Sequence, residues 1–282
     1  MPDHTLTGNI QQHKGFESRT LGNRRDVLVY LPAGYNRFLR RRYPVLYLND
    51  GQNVFDAATA FGGVEWGVDE TAQRLIRKRL IEPLIIVAVA NMGNERIHEY
   101  TPTRAVAEAG VQKNKRSRGL ARKHGKFLAQ ELKPFIDATY RTRPEGEFTG
   151  LGGSSLGGLV TLALGLYFPD VFTRLAVMSP SVWWDDQVIV RMVEELDDKL
   201  PLRIWLDIGT HEPGWERTRT LRDALVEKGW HLHDDLQYTE EQGAGHTESA
   251  WAARVNPMLR FLFPPMSQTA AVKTVGHLAM TR

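Results

Sequence analysis

Short blocks of unbroken apolar residues alternate along this chain with longer stretches in which apolar side chains recur every three or four positions. The blocks fall at 27–31, 45–48, 84–90, 148–152, 175–178 and 204–208. They are short, mostly β-branched or aliphatic, and bounded by Gly, Pro, Asn or Asp, which predicts buried strands. The stretches 68–80, 122–139, 156–167, 187–196, 215–228 and 248–262 carry the helical period and are predicted to be helices. Strands that are apolar throughout need cover on both faces. Regular alternation with helices supplies it by making a largely parallel sheet with helices on either side. The chain's beginning differs. Segments 13–18 and 27–31 have no helix between them, and Gly22-Asn23 sits in the gap, which predicts an antiparallel N-terminal hairpin.

No internal repeat or low-complexity linker interrupts this pattern, so residues 1–265 are read as one α/β domain. A chain of 282 residues buries an adequate core without staples. After Pro264-Pro265 the residues are small, polar and weakly patterned, and 266–282 is read as a partly disordered C-terminal extension. The absence of cysteine excludes disulfides, thiolate metal sites and a cysteine nucleophile, and fits a reducing compartment. Met1-Pro-Asp-His-Thr5 lacks the basic and apolar regions of a signal peptide, and the apolar run 84–90 is too short to span a bilayer. The expected location is cytoplasmic, without a membrane span. The net charge of +3 is concentrated at 37–42 and 113–126. These clusters read as solvated loops and helix faces, with an electropositive rim for anionic substrates as the sharper alternative. Neither resembles a nucleic-acid-binding motif. Oligomeric state is left open.

The chemistry concentrates at Gly153-Ser154-Ser155-Leu156-Gly157, a G-x-S-x-G run preceded by an apolar block and followed by a helical stretch. That strand–turn–helix setting is what a nucleophile elbow requires. Small residues at 153 and 157 let strand and helix approach closely. The helix N-terminus favours developing negative charge, and the Leu156 N–H is placed to donate to an oxyanion. Ser155 is the predicted nucleophile. Ser154 fills the x position, so its side chain is expected to point elsewhere. The run is not a phosphate loop.

A serine nucleophile needs a base and an orienting acid, which follow it in the order acid then histidine in this fold class. His246, in the Gly-rich segment Gln242-Gly-Ala-Gly-His246 before the last helix, is the predicted base. His231 and His233 read as one face of a strand, either exposed or, as the alternative, a metal pair. The acid must follow the block 204–208, and Glu212 is chosen. Asp207 lies inside the apolar run and Glu216 begins the next helix. A Ser–His dyad without a placed acid is the alternative. A second oxyanion donor is expected from the loop after 45–48, with Gln52 first and Asn53 next.

Asp50-Gly-Gln-Asn-Val-Phe-Asp56, Glu65-Trp-Gly-Val-Asp69, Arg96-Ile-His-Glu-Tyr-Thr-Pro102, Glu131-Leu-Lys-Pro-Phe-Ile-Asp137, Gly152-Gly-Ser-Ser-Leu-Gly-Gly158 and Gly245-His246 resemble the esterase D / enterochelin-esterase-like family over about residues 25–263. One departure is Asp50-Gly51, where many relatives carry His-Gly. The resemblance implies an α/β-hydrolase fold and Ser–acid–His chemistry. Its members include carboxylesterases, feruloyl and acetyl esterases, siderophore-ester hydrolases and acyltransferases, so it speaks to reaction class more than to substrate. Position and this analogy make Arg96, Asn53, Trp183 and Trp184 candidate substrate-binding residues. For Arg96 the alternative is an Arg–Glu pair with Glu99 that braces its loop. Residues 103–118 read as a lid or a variable surface loop. The expectation is a serine carboxylesterase for short-chain or aryl esters, acting on a small-molecule ester without metal or organic cofactor. A siderophore-ester hydrolase, an acyltransferase and a non-catalytic binding module are the rivals.

Overall fold

The computed structural model describes residues 3–105 and 116–265. Eight strands form one sheet in the order β1-β2-β4-β3-β5-β6-β7-β8. They are β1 Asn9–Ser18, β2 Asn23–Leu31, β3 Val45–Asn49, β4 Ile85–Val89, β5 Thr149–Ser154, β6 Arg174–Met178, β7 Arg203–Gly209 and β8 Leu236–Glu241. From β4 across to β8 every neighbouring pair is parallel. The β1–β2 hairpin and the β2–β4 pair are antiparallel, as the missing helix predicts.

The helices are α1 Val68–Arg77, α2 Arg96–Glu99, α3 Ala121–Phe127, α4 Lys133–Thr139, α5 Leu156–Tyr167, α6 Val188–Glu194, α7 Glu216–Glu227 and α8 Glu248–Leu262. Their placement follows from side-chain alternation along the strands. In β3, Val45 and Tyr47 join a core shared with α3, α5, α6 and α7. Leu46 and Leu48 face the opposite layer, where α1 and α8 close the core with Ala72, Leu75, Val255 and Met258. The apolar blocks lack polar alternation because both faces are covered.

Two local expectations are corrected. The single helix over 122–139 is α3 and α4 joined by a π-helical turn at Leu128–Leu132. Pro134 gives the reason: it lacks an N–H, and its ring crowds the carbonyl four residues back, so a wider turn relieves the clash. His231 and His233 do not share a strand face. Leu232 makes only an isolated bridge, His233 has φ +67, and the strand begins at Leu236. The predicted C-terminal extension and residues 106–115 of the basic segment lie outside the described residues.

Parallel strands bring their C-terminal ends to one edge of the sheet. The loops after β3, β4, β5, β6, β7 and β8 therefore meet there, and the candidate residues lie on those loops.

Candidate active site

Between β5 and α5 the chain reverses at a single residue. Ser155 has φ 59 and ψ −122, a conformation that costs a non-glycine residue about 1–3 kcal/mol. Its surroundings impose it. The Ser155 N–H donates to the Met178 carbonyl at 3.0 Å, and the Ser155 carbonyl accepts from Ser181 N–H at 3.1 Å. Strand and helix lie so close that a Cβ on Gly153 would sit 2.8 Å from the Gly157 backbone. Ser154 is buried at the end of β5.

His246 reaches this point from the loop after β8. Thr247 caps α8 by accepting the Ala250 N–H, which fixes the start of the helix two residues beyond the imidazole. The ring packs edge-on against Trp251 at 4.9 Å. Nε2 lies 2.9 Å from Ser155 Oγ and Nδ1 lies 2.6 Å from Glu212 Oε2. A carboxylate only accepts, so Nδ1 carries the proton and Nε2 of the neutral ring is left to accept from the serine hydroxyl.

Glu212, on the loop after β7, is 4 % exposed. Its Oε1 accepts from Ser179 Oγ at 2.6 Å and from Gly209 N–H at 2.9 Å. Burial pushes its pKa up, but the hydrogen bonds from His246 and Ser179 outweigh burial and hold the carboxyl below its ordinary value. Asp207 is also buried and meets a different partner, accepting from Arg254 Nη1 at 2.8 Å and Trp205 Nε1 at 2.6 Å. Glu216 begins α7. Sequence reasoning missed Ser179, Trp251 and Arg254, the three side chains behind the acid. Ser179 Oγ accepts from Trp251 Nε1 at 3.0 Å and Arg254 Nη2 at 3.1 Å while donating to Glu212. Only the apolar spacing of α8 hinted at an inward face there.

The loop after β3 begins with Asp50 in the left-handed region, φ 57. A Cβ on Gly51 would lie 2.5 Å from the Ala88–Val89 backbone, so only glycine lets the turn rest on β4. The Gln52 side chain is engaged, its Oε1 accepting from Asn91 N–H at 3.2 Å. For the Gln52 N–H no hydrogen-bond acceptor is found among the described residues. The Leu156 N–H belongs to the first turn of α5, where a helix leaves its donors without intrahelical partners. Arg96 forks onto Asp50, with Nε to Oδ1 and Nη2 to Oδ2 both at 2.7 Å. It does not pair with Glu99, which is held by Arg25 at 2.8 and 2.9 Å. Asn53 is buried and donates to Glu248 Oε1 at 3.1 Å.

Residues 18–262 match the Esterase family model, described as "Putative esterase". The chain belongs to this esterase family. Membership makes the protein a hydrolase acting on esters. Among its relatives, the uncharacterized protein YjcH of Bacillus subtilis is 32% identical over 73% of this chain and 74% of its own length. The ferri-bacillibactin esterase BesA of the same organism is 25% identical over 84% and 82%. The fold is that of a solved IroE-like serine hydrolase from Shewanella oneidensis, with a TM-score of 0.71 and 23% identity, over 90% of this chain and 80% of that one. It is the α/β-hydrolase arrangement that the strand and helix alternation implied.

In this esterase, a cavity of about 580 Å³ opens beside Ser155 and His246. Val182, Trp183, Ile208 and Pro213 give it an apolar wall, while Arg217 and Thr218 stand on the polar side. Trp183 is therefore beside the serine. Trp184 is not on this wall; it is fully buried and donates from Nε1 to Thr103 Oγ1. A larger cavity of about 660 Å³ between β8, α8 and Arg79 contains none of the expected site residues. Among the described residues, one set of carboxylates, Glu65, Asp69 and Glu70, brings ligand-type oxygens within 4.8 Å of one another. Burial, with Glu70 adding to it, pushes the Asp69 carboxyl well above its ordinary value. No helix among the described residues is long and apolar enough to cross a membrane.

Proposed function

We propose that this esterase is a serine carboxylesterase that hydrolyses short-chain or aryl carboxylic esters through an acyl-enzyme. The observation that carries the proposal is the unbroken relay from Glu212 through His246 to Ser155, at 2.6 and 2.9 Å. In it, His246 takes the Ser155 proton as Oγ attacks the ester carbonyl, and Glu212 stabilises the imidazolium that forms. The backbone N–H groups of Leu156 and Gln52 hold the oxyanion. His246 then gives its proton to the leaving alcohol. Water, activated by the same imidazole, releases the acid. No step calls for a metal or organic cofactor. The apolar wall around Trp183 favours small acyl or aryl groups next to the serine.

A second reading, a siderophore-ester hydrolase, is favoured by the similarity to ferri-bacillibactin esterase BesA. Both readings use the same residues and differ in what fills the cleft. The test is a panel of p-nitrophenyl esters of increasing acyl length, an aryl ester and a siderophore lactone, run on the protein and on Ser155→Ala. Turnover of short and aryl esters, lost by orders of magnitude in the variant, is expected, with a fluorophosphonate adduct on Ser155 by mass spectrometry. Selective turnover of the lactone would move the assignment to the second reading. Absence of both labelling and turnover would overturn the serine mechanism.

A further inference from the structure

Three segments must keep register for the mechanism above: the loop Asp50–Asn53, the elbow around Ser155 and the loop that carries His246. The first has little support of its own. It is a single 3₁₀ turn with Asn53 N–H on the Asp50 carbonyl at 2.9 Å, entered through a left-handed aspartate. Trp66 N–H on the Asn53 carbonyl at 2.8 Å adds a backbone tie at its far end, and side chains join it to the other two segments. Arg96 of α2 clamps both oxygens of Asp50, and its Nη2 also lies 3.5 Å from the Ser154 carbonyl. One guanidinium thus spans the first segment and the elbow. Glu248, two residues beyond His246, accepts from Asn53 Nδ2 and so spans the first segment and the base loop. Asn91 closes the remaining side, with Nδ2 on Asp50 Oδ1 at 2.7 Å and its N–H on the Gln52 side chain.

We propose that Arg96 and Glu248 are positioning residues that fix the Gln52 N–H against Ser155 and His246 before substrate arrives. The proposal rests on the serine-esterase reading. Its physical basis is that an oxyanion donor works only within hydrogen-bond reach of an oxygen that becomes charged in the transition state. A displacement of about 1 Å at such a site costs on the order of 100-fold in rate. The fork suits this task. Asp50 is buried and Arg96 largely so, with side-chain exposures of 3 % and 22 %. A planar guanidinium fixes both the distance and the angle of the carboxylate it grips, which a lysine ammonium does not. Asp50 also lies against the elbow, since a Cβ on Gly157 would meet its Oδ2 at 3.1 Å. Burial of Glu248 works against its charge, and nearby Asp50 adds to that, while His246 and Arg96 oppose it. What Glu248 supplies is an acceptor on a bond that joins the start of α8, two residues after His246, to the loop Asp50–Asn53.

The test uses the full chain and the variants Arg96→Gln, Arg96→Lys, Glu248→Ala and Glu248→Gln. Arg143→Gln removes a partner of Glu82 at the opposite edge of the sheet and serves as the control for a lost ion pair. Ester turnover and Ser155 labelling in the unmodified protein come first. Their absence would overturn the serine-esterase reading and this proposal with it, whereas the variant comparisons below, made on an active parent, test this proposal alone. In Arg96→Gln and Glu248→Ala, kcat is expected to fall about 10- to 100-fold with KM within about threefold. Glu248→Gln keeps an acceptor for Asn53 and is expected to retain kcat within about threefold. Arg96→Lys, lacking the fork, is expected to recover only partly. An aryl boronic acid forms a tetrahedral adduct on the serine and uses the same donors, so its Ki is expected to rise in step with the fall in kcat/KM. A merely structural role would lower melting temperature, as is expected of Arg143→Gln, without that proportion. Full kcat in both Arg96→Gln and Glu248→Ala would overturn the proposal, as would a raised KM at unchanged kcat, or a boronate affinity that stays constant while kcat falls. If Arg96→Gln fails to fold, the Glu248 pair, at the partly exposed start of α8, carries the same comparison.

Discussion

Replacing Arg254 with methionine isolates the buried charge behind the acid. Arg254 and Asp207 are 2 % and 0 % exposed, and their bond is 2.8 Å. Methionine keeps most of the aliphatic volume, so the change is chiefly the loss of a positive charge. Asp207 then retains Trp205 Nε1 and the Ser179 N–H but no cation. Two routes bound the cost. If Asp207 stays charged, removing one partner of a buried pair costs about 3–5 kcal/mol. If it takes up a proton, the cost at pH 7 is the work of protonating a group whose unfolded pKa is about 3.9, or about 4 kcal/mol. Both limits give about 4 kcal/mol, and the second has a sign that can be checked. Burial already raises the pKa of Asp207, and Arg254 is the largest influence holding it down. Without Arg254 the folded pKa rises well above the unfolded one. The folded variant then binds a proton that its unfolded chain lacks, and it loses stability as pH rises. The difference between parent and variant is expected to shrink by about 1.4 kcal/mol per pH unit as pH falls from 7, until it reaches the parent's own folded pKa, which burial already holds above the ordinary carboxylate value. Urea unfolding at pH 5, 6 and 7 measures it. A difference below about 1 kcal/mol at pH 7, or one that does not change with pH, would refute the reasoning.

Glu212→Gln offers an amide in place of the acceptor for Nδ1 and favours the wrong tautomer, so kcat is expected to drop by about 10⁴ with the fold retained; near-normal turnover would exclude Glu212 as the orienting acid. Because its folded pKa is depressed, Glu212 contributes stability that is present above about pH 4 and is lost as pH falls through the lower folded value; denaturant midpoints of parent and Glu212→Gln should converge on acidification, and divergence would contradict the hydrogen-bond pattern. Trp183→Ala should raise KM for aryl esters about tenfold while changing the methyl ester little, measured by steady-state kinetics, whereas an equal effect on both would remove Trp183 from the substrate wall. Gly51→Ala forces a Cβ to within 2.5 Å of the β4 backbone and should cost at least 1–3 kcal/mol in urea unfolding; a neutral change would show that the turn does not rest on β4 as described.

The sheet was legible because burial on both faces erases polar alternation, as in β4, where all five residues are buried. Helices α5 and α8 were legible to their ends, since a strained serine and a threonine cap define where they start. The break at Leu128–Leu132 was not, because a proline's effect on the preceding turn depends on which side chains can give way. The strand assigned to His231 and His233 failed for a related reason: alternating polarity over three residues does not distinguish a strand from a turn. At the site, Ser155, His246 and Glu212 were picked out by local backbone demands and by chain order, and the structure brings them within hydrogen-bond reach. Arg96 was legible as a residue of the correct edge but not by its partner. The choice between Asp50 and Glu99 is set by how α2 packs under the β3 loop, which spacing alone does not encode. Ser179, Trp251 and Arg254 were invisible because their polar atoms matter only through long-range contact.

Those three residues explain how one short segment holds two carboxylates in opposite conditions. Asp207 and Glu212 are five positions apart and both buried, and burial pushes each toward the neutral acid. The charge of Glu212 adds to the push on Asp207. Arg254 breaks the symmetry by bonding Asp207 directly and standing 3.7 Å from Glu212 Oε1. Ser179 completes the division. Its N–H donates to Asp207 and its hydroxyl to Glu212, so the shared residue supplies a donor to both without bridging them by a proton. Asp207 is thereby neutralised as a pair, and Glu212 keeps its charge through donors that include His246 itself. The negative charge that faces the imidazole is then Glu212's alone. This is why the effect of Arg254→Met should extend beyond stability: the guanidinium that Asp207 loses also stands beside Glu212, the carboxylate that orients the base.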